Sequence, residues 1–415
     1  MATSAGVVTV PAYAASGRKV RSAVNPLVRA ALYLFILSIP FEMPNRVFPV
    51  EIPTITGALF LLTTVLRPAS YRRIPGAVIW FFVYLWMFGL STFVNRSLHP
   101  DLVLNLFLLM LQLVLILWSC ANLFRDRTVL RGVLITLAFA VAVRAALQVS
   151  GVGATSHTVW TGGERITAFG QNANLSAIIM SVGALLLLNL KPKIVTWPIA
   201  AVTAVAIIQT GSRGGLICLV VGLLVWAVGS GRTFGSRLRG LVLGLFLLAA
   251  LAVGVLRSDM LRVRLLAAEE GSLAGRELIY PAVLGMISER PIMGWGPIEA
   301  YYEIGARIEE EKKDKREPHN LFLDLMSTTG ILGTIPFLIG YGLCWVGAWR
   351  ARRGPYGILP LALMAVTFMG CMSGTWIASK ILWLTLSIAT ATGAQARRAL
   401  SGGAGPYPHI REIPS

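Results

Sequence analysis

Acidic side chains are scarce in this chain: 19 Asp and Glu stand against 37 Lys and Arg in 415 residues. Charge of either sign makes up only 13% of the sequence, while 55% is hydrophobic and the mean hydropathy is +0.70. So small a supply of charge excludes an ordinary soluble domain and makes a polytopic helical membrane protein the expected class. Cysteine is rare as well. Cys120, Cys218, Cys344 and Cys371 all lie in or at the ends of apolar runs, without a disulfide framework or metal-type spacing. Histidine is limited to His99, His157, His319 and His409, and none has a second His or Cys at ligand spacing, so neither a metal nor another cofactor is expected. The net charge of +18 comes without a continuous basic arm carrying interleaved aromatics, so nucleic acid is not an expected partner.

What the chain does have is about twelve apolar runs, near 26–41, 48–66, 75–94, 101–123, 129–149, 172–190, 194–210, 213–229, 239–256, 320–347, 356–372 and 376–394. Roughly 20 apolar residues cross about 30 Å of hydrocarbon. Backbone polar groups in lipid must be satisfied within each segment, which makes these runs helices. The expected fold is therefore all-α, a polytopic bundle of about twelve transmembrane helices. The charges sort by side. With Arg18, Lys19 and Arg21 in the cytoplasm, alternate turns carry Arg67/Arg72/Arg73, Arg125/Arg127/Arg131, Lys191/Lys193, Arg232/Arg237/Arg239, Arg350/Arg352/Arg353 and Arg397/Arg398. These turns orient the protein and meet anionic lipid head groups.

The expected organisation is a cytoplasmic tail (1–25), nine helices (26–256), one large outer loop (257–319), three helices (320–394) and a second cytoplasmic tail (395–415). Ala12-Tyr13-Ala14 resembles a signal-peptidase site. No basic segment followed by an apolar one precedes it, so the first tail reads as uncleaved. Within the outer loop, 275–289 is expected as an amphipathic helix kinked or started at Pro281. Ile308 to Glu317 is expected as a charged helix with Glu309–Lys313 and Glu311–Lys315 pairs.

The polar constellations all fall on the outer side. Gly211-Ser212-Arg213-Gly214-Gly215 opens a span, where free N–H groups and a two-pronged guanidinium suit an oxyanion. The alternative is that Arg213 snorkels and the glycines serve helix packing. Arg276, in Gly275-Arg276-Glu277, either contributes a second positive charge or pairs with Glu277 or Glu270. His319, in Pro318-His319-Asn320, is placed to exchange a proton near neutral pH; alternatively Asn320 caps the helix and His319 is a bystander. Asn172 and Asn174 suit hydrogen bonds to sugar hydroxyls and Arg165 adds positive charge, unless an Asn caps the helix in an ordinary polar loop. Lys380 and Arg144 are intramembrane cations, each a site candidate by cost alone; for Arg144 snorkelling to the interface is the expected outcome.

Taken in order, Arg165…Phe169-Gly170…Asn174, Gly211–Gly215, Gly275-Arg276…Pro291…Gly294-Trp295-Gly296 and His319-Asn320…Gly330…Gly333 resemble the O-antigen ligase and polymerase superfamily of bacterial envelopes. Tyr280 departs from the pattern, since many relatives carry Trp there. The resemblance covers residues 160–335 by motif and implies a GT-C-like glycosyltransferase of the inner membrane. It implies a glycan donor linked to undecaprenyl diphosphate, a lipid A–core sugar as acceptor and a periplasmic site that needs no metal. It further implies Arg213 and Arg276 as diphosphate binders and His319 as the base or the group that orients the acceptor. Arg165, Asn172, Asn174, Ser212, Asn320 and Lys380 are the expected substrate-binding set. A polymerase joining two lipid-linked repeats and a protein O-oligosaccharyltransferase would use the same donor. The first tends to have two sizeable outer loops and the second a longer soluble tail. A transporter or flippase would show internal repeats, which are not evident.

Overall fold

The computed structural model describes residues 24–42, 51–65, 67–158, 164–229, 233–269, 275–308 and 315–401. Arg18, Lys19, Arg21, Arg232, Glu270, Glu309, Glu311 and Lys313 lie outside the described residues, as do most of both expected tails. Helices dominate. In chain order they are α1 (Pro26–Ser38), α2 (Ile52–Val65), α3 (Gly76–Asn95), α4 (Pro100–Leu123), α5 (Arg127–Val149), α6 (Ala173–Asn189), α7 (Lys193–Gln209) and α8 (Arg213–Gly229). Then come α9 (Phe234–Leu256), α10 (Asp259–Glu269), α11 (Arg276–Glu289), α12 (Glu299–Arg307), α13 (Leu321–Ala351), α14 (Leu359–Cys371) and α15 (Lys380–Ser401).

Each of the twelve apolar runs is occupied by one of these helices. Five of them, α3, α4, α5, α9 and α13, are long and apolar enough to cross a bilayer, and α1, α2, α6, α7, α8 and α14 are shorter apolar helices. Trp86 and Phe93 on α3 and Phe246 on α9 are exposed. Rows of large apolar side chains facing outward are costly against water and natural against lipid. The chain is a helical membrane protein.

The helix starts follow local chemistry. Asn25 Oδ1 accepts from Leu27 N (2.8 Å) with Pro26 in the first turn, and Asp126 Oδ1 accepts from Thr128 N (2.9 Å) at the head of α5. The core divides into two apolar clusters. One joins α1, α5, α6, α8 and α14, through side chains such as Phe35, Leu137, Ile179, Leu219 and Val366. The other joins α3, α4, α11, α12, α13 and α15, through Phe81, Leu113, Val283, Ile304, Phe337 and Trp383.

The segment 257–319 is helical in most of its described length. The expected amphipathic helix is α11, with Pro281 inside it and Ile279, Val283 and Met286 buried. The second expected helix is displaced. α12 ends at Arg307, and the described residues 315–319 are not helical. Arg316 N donates instead to Tyr301 O (3.0 Å), which ties this stretch back along α12.

Two features were not read from the sequence. The stretch before α6 is an antiparallel hairpin, β1 (Ala154–Thr158) with β2 (Glu164–Ala168), in the register Ala154↔Ala168 and Thr155↔Thr167. α13 is broken at Gly330 (φ 61°, ψ −165°). The turn 291–296 docks into that break: Trp295 N and Gly296 N donate to Ser327 O and Thr328 O (2.8 and 2.9 Å), and Ile331 N donates to Pro291 O (2.8 Å). The glycine motif of the outer loop and the glycine in α13 thus meet backbone to backbone.

Candidate functional site

The first part of the site is built by three short segments. β2 carries Arg165, the first turn of α6 carries Asn174, and the turn before α8 carries Gly211 (φ 58°) and Ser212. Arg165 Nε donates to Thr210 O (2.8 Å) and its Nη2 to Asn174 Oδ1 (3.1 Å). Ser212 Oγ donates to the same Asn174 oxygen (2.8 Å) and accepts from Gly215 N (3.0 Å). These polar groups hold one another and fix the 210–215 turn. A side chain at 215 would bring its Cβ to 2.1 Å from Ala177 Cβ, so glycine there lets α8 approach α6. Asn172 Oδ1 accepts from Asn174 N and Leu175 N (2.9 and 3.3 Å), so that oxygen caps α6.

The fixed turn delivers Arg213 as the first residue of α8. Arg276 holds the same position in α11, after Gly275 in the left-handed region (φ 82°). Arg276 and Gly214, the residue after Arg213, come against the turn between α14 and α15. Arg276 Nη2 donates to Ser373 O (2.7 Å), and the open side of Gly214 faces Ser373 Oγ, which would lie 2.9 Å from a Cβ at 214. Arg276 and Glu277 are the charged groups that act on Arg213. Two half-buried guanidinium groups therefore share one corner, each at the N-terminal end of a helix. Like charges so placed repel, and an anion between them turns that repulsion into binding.

His319 is exposed and has a left-handed backbone (φ 51°), uncommon outside glycine. It sits between buried Pro318 and Asn320, whose Oδ1 caps α13 by accepting from Phe322 N and Leu323 N (2.9 and 3.3 Å). One turn on, buried Asp324 accepts a hydrogen bond from the Tyr301 hydroxyl, and burial holds that phenol well above its usual range. Next to this region lies a cavity of about 720 Å³, lined by Glu51, Gln112, Tyr301, Lys315, Glu317 and Thr375 among others. The 373–379 turn thus presents Ser373 to Arg276 and Thr375 to the cavity.

Lys380 begins α15, and its ammonium is taken up by carboxylates. It donates to Glu42 Oε1 (2.6 Å) and to Glu51 Oε2, and is only 2% exposed. Gln171 Nε2 adds a bond to Glu42 O (2.8 Å). Burial, with Glu51 adding to it against the pull of Lys380, pushes the Glu42 carboxyl up to about 7. Glu42, Glu51, Tyr301 and Ser373 were not singled out in the sequence. For the two glutamates a signal existed: an intramembrane lysine needs a counter-charge, and acids are few. Arg144 corrects the snorkelling expectation. It is 1% exposed and donates to Ser176 Oγ (2.7 Å), because α5 turns it toward α6 and not toward the interface.

Two arginines at helix starts in a bundle of apolar helices form a cationic corner in a membrane protein. A family model described as O-antigen ligase matches residues 198–338, about a third of the chain, and this stretch contains Arg213, Arg276 and His319. Over that stretch the chain is similar to the O-antigen ligase family. A comparison with curated proteins gives no match.

Proposed function

We propose that the protein is an O-antigen ligase. It transfers a glycan from undecaprenyl diphosphate to a sugar hydroxyl of lipid A–core at the periplasmic face of the inner membrane. The observation that carries this reading is the proximity of Arg213 and Arg276, both within the segment that matches the family, with Arg276 bonded to Ser373 O. In this reading the chain spans the membrane twelve times, with 257–319 outside and both termini in the cytoplasm.

The chemistry follows from the charges. As the bond between the anomeric carbon and the phosphate oxygen breaks, its electron pair goes to the diphosphate, whose negative charge grows. Arg213, Arg276 and the N-terminal amides of α8 stabilise that charge where it develops. The acceptor oxygen attacks the opposite face of the anomeric carbon, its proton passes to His319, and the configuration inverts. A positioned imidazole contributes on the order of 10²–10⁴ in rate. Arg165, Asn174 and Ser212 set the turn that aims Arg213. Lys380, with its two carboxylates, anchors α15 and the 373–379 turn.

The polymerase reading shares every donor contact. The small hairpin 154–168 beside the large 257–319 segment favours the ligase. Purified protein given a labelled lipid-linked glycan is expected to transfer it to lipid A–core and not to a second lipid-linked glycan or a pilin-like protein. Product on either of the latter acceptors alone would refute the ligase assignment. Counter-flow in liposomes without covalent product would point to a transporter.

A further inference from the structure

The far end of the bundle holds a second concentration of arginines that the transfer reaction does not use. Counting about 1.5 Å per residue, Arg397 lies roughly 25 Å along α15 from Lys380. α13 and α15 cross there at two glycines. A Cβ at Gly347 would lie 2.7 Å from Ala389 O, and one at Gly393 would lie 2.6 Å from Gly347 Cα. Arg350 follows the first glycine by three residues and Arg397 the second by four, so helical spacing brings both cations out below the crossing.

Two further arginines meet them. The Arg73 backbone is held by Trp118 Nε1 and Asn122 Nδ2, which donate to its carbonyl at 2.9 and 2.8 Å. Arg125 leaves the end of α4, where Gln395 Nε2 on α15 donates to Phe124 O (2.7 Å). Arg73, Arg125, Arg350 and Arg397 line one cavity of about 410 Å³, whose described lining includes no carboxylate. Arg125 Nε is buried without a hydrogen-bond partner among the described residues. Burial first, then the charges of Arg398, Arg73 and Arg397, hold the Arg125 guanidinium down to about 10. Cations gathered by a rigid helix crossing, around a cavity whose described lining carries no carboxylate, favour an anion in that space.

We propose that this cavity binds the phosphodiester head group of an anionic phospholipid. Phosphate is the chemistry that several guanidinium groups match. The lipid source follows from the other walls: Ile74, Leu343 and Val346 offer an apolar surface suited to an acyl chain and useless to free phosphate. Such a lipid would brace α13 and α15 at the end remote from the arginine pair of the transfer site.

The test is native mass spectrometry of the full chain from mixed micelles of phosphatidylglycerol and phosphatidylcholine. Phosphatidylglycerol should be retained at least about tenfold more than phosphatidylcholine, a ratio that several charge-assisted contacts readily supply. Combining R125Q and R350Q should abolish the preference, whereas R72Q, at an exposed arginine outside the lining, should preserve it. Millimolar inorganic phosphate should leave the lipid bound. Equal retention of both lipids, equal loss with R72Q, or displacement by phosphate would overturn the proposal. Should the double variant not fold, thermal unfolding of the unaltered chain decides. Phosphatidylglycerol must raise the midpoint saturably and phosphatidylcholine must not; no such rise overturns it.

Discussion

His319 combines an exposed imidazole with a backbone conformation that glycine would adopt more easily. Residues held in sparsely populated backbone regions are retained where the side chain is needed. The two roles separate in one variant. His319→Gly relieves the left-handed strain, of about 1–2 kcal/mol, while the greater freedom of glycine in the unfolded chain costs about 0.5–1 kcal/mol. The thermal midpoint of H319G in detergent is therefore expected at or slightly above that of the parent, with glycan transfer lost. A clear fall in the midpoint would make His319 a structural residue. The imidazole was legible in the sequence because so few histidines exist and this one stands at a span boundary. Its backbone strain was not legible, because it depends on how Pro318 and Asn320 are packed and capped.

At the scale of elements, the glycines of the large loop and of α13 explain each other. Gly294 and Gly330 approach so closely that a Cβ at 330 would lie 2.3 Å from Ile292 O, and one at 294 would lie 2.6 Å from Thr328 C. Gly330 also has a positive φ that alanine resists. Gly330→Ala should cost well over about 1 kcal/mol and lower the thermal midpoint, because it undocks the 291–296 turn from α13. Gly89→Ala, on α3 with nothing within 4 Å of the added carbon, serves as control and should be neutral or stabilising by up to about 1 kcal/mol. Equal effects at the two positions would contradict the docking argument. The apolar helices were legible from run length alone. The hairpin was not, since strands of five residues with polar side chains carry little periodicity. Nor was the end of the loop, where a bond from Arg316 N to Tyr301 O replaced the helix that charge spacing suggested.

Over the whole molecule, the Glu42–Lys380–Glu51 group joins the chain between α1 and α2 to the start of α15, some 330 residues later. Removing the ammonium would leave the carboxyl groups of Glu42 and Glu51 without their counter-charge, so Lys380→Met should destabilise by about 3–5 kcal/mol. The pH dependence has a definite sign. The Glu42 carboxyl is raised by burial to about 7, so the folded state holds a proton that the unfolded state releases at lower pH. The contribution is present below about 4.5 and is lost as pH rises through about 7. Thermal unfolding in detergent should show stability declining across that window, and Glu42→Gln should flatten the decline. A parent profile that rises over the same range would contradict the assignment.

The proposed anion grip joins Arg213 and Arg276 from opposite ends of the 213–276 stretch, with Arg276 held on Ser373 O and its charge acting on Arg213. Binding of a radiolabelled polyprenyl-diphosphate glycan to the purified protein tests that grip most directly. Arg213→Gln and Arg276→Gln should each weaken binding by at least about tenfold, since each loses a charge-assisted contact of about 1.5–3 kcal/mol. H319G should bind the donor like the parent and yet transfer nothing. Undiminished donor binding by either arginine variant would contradict the account.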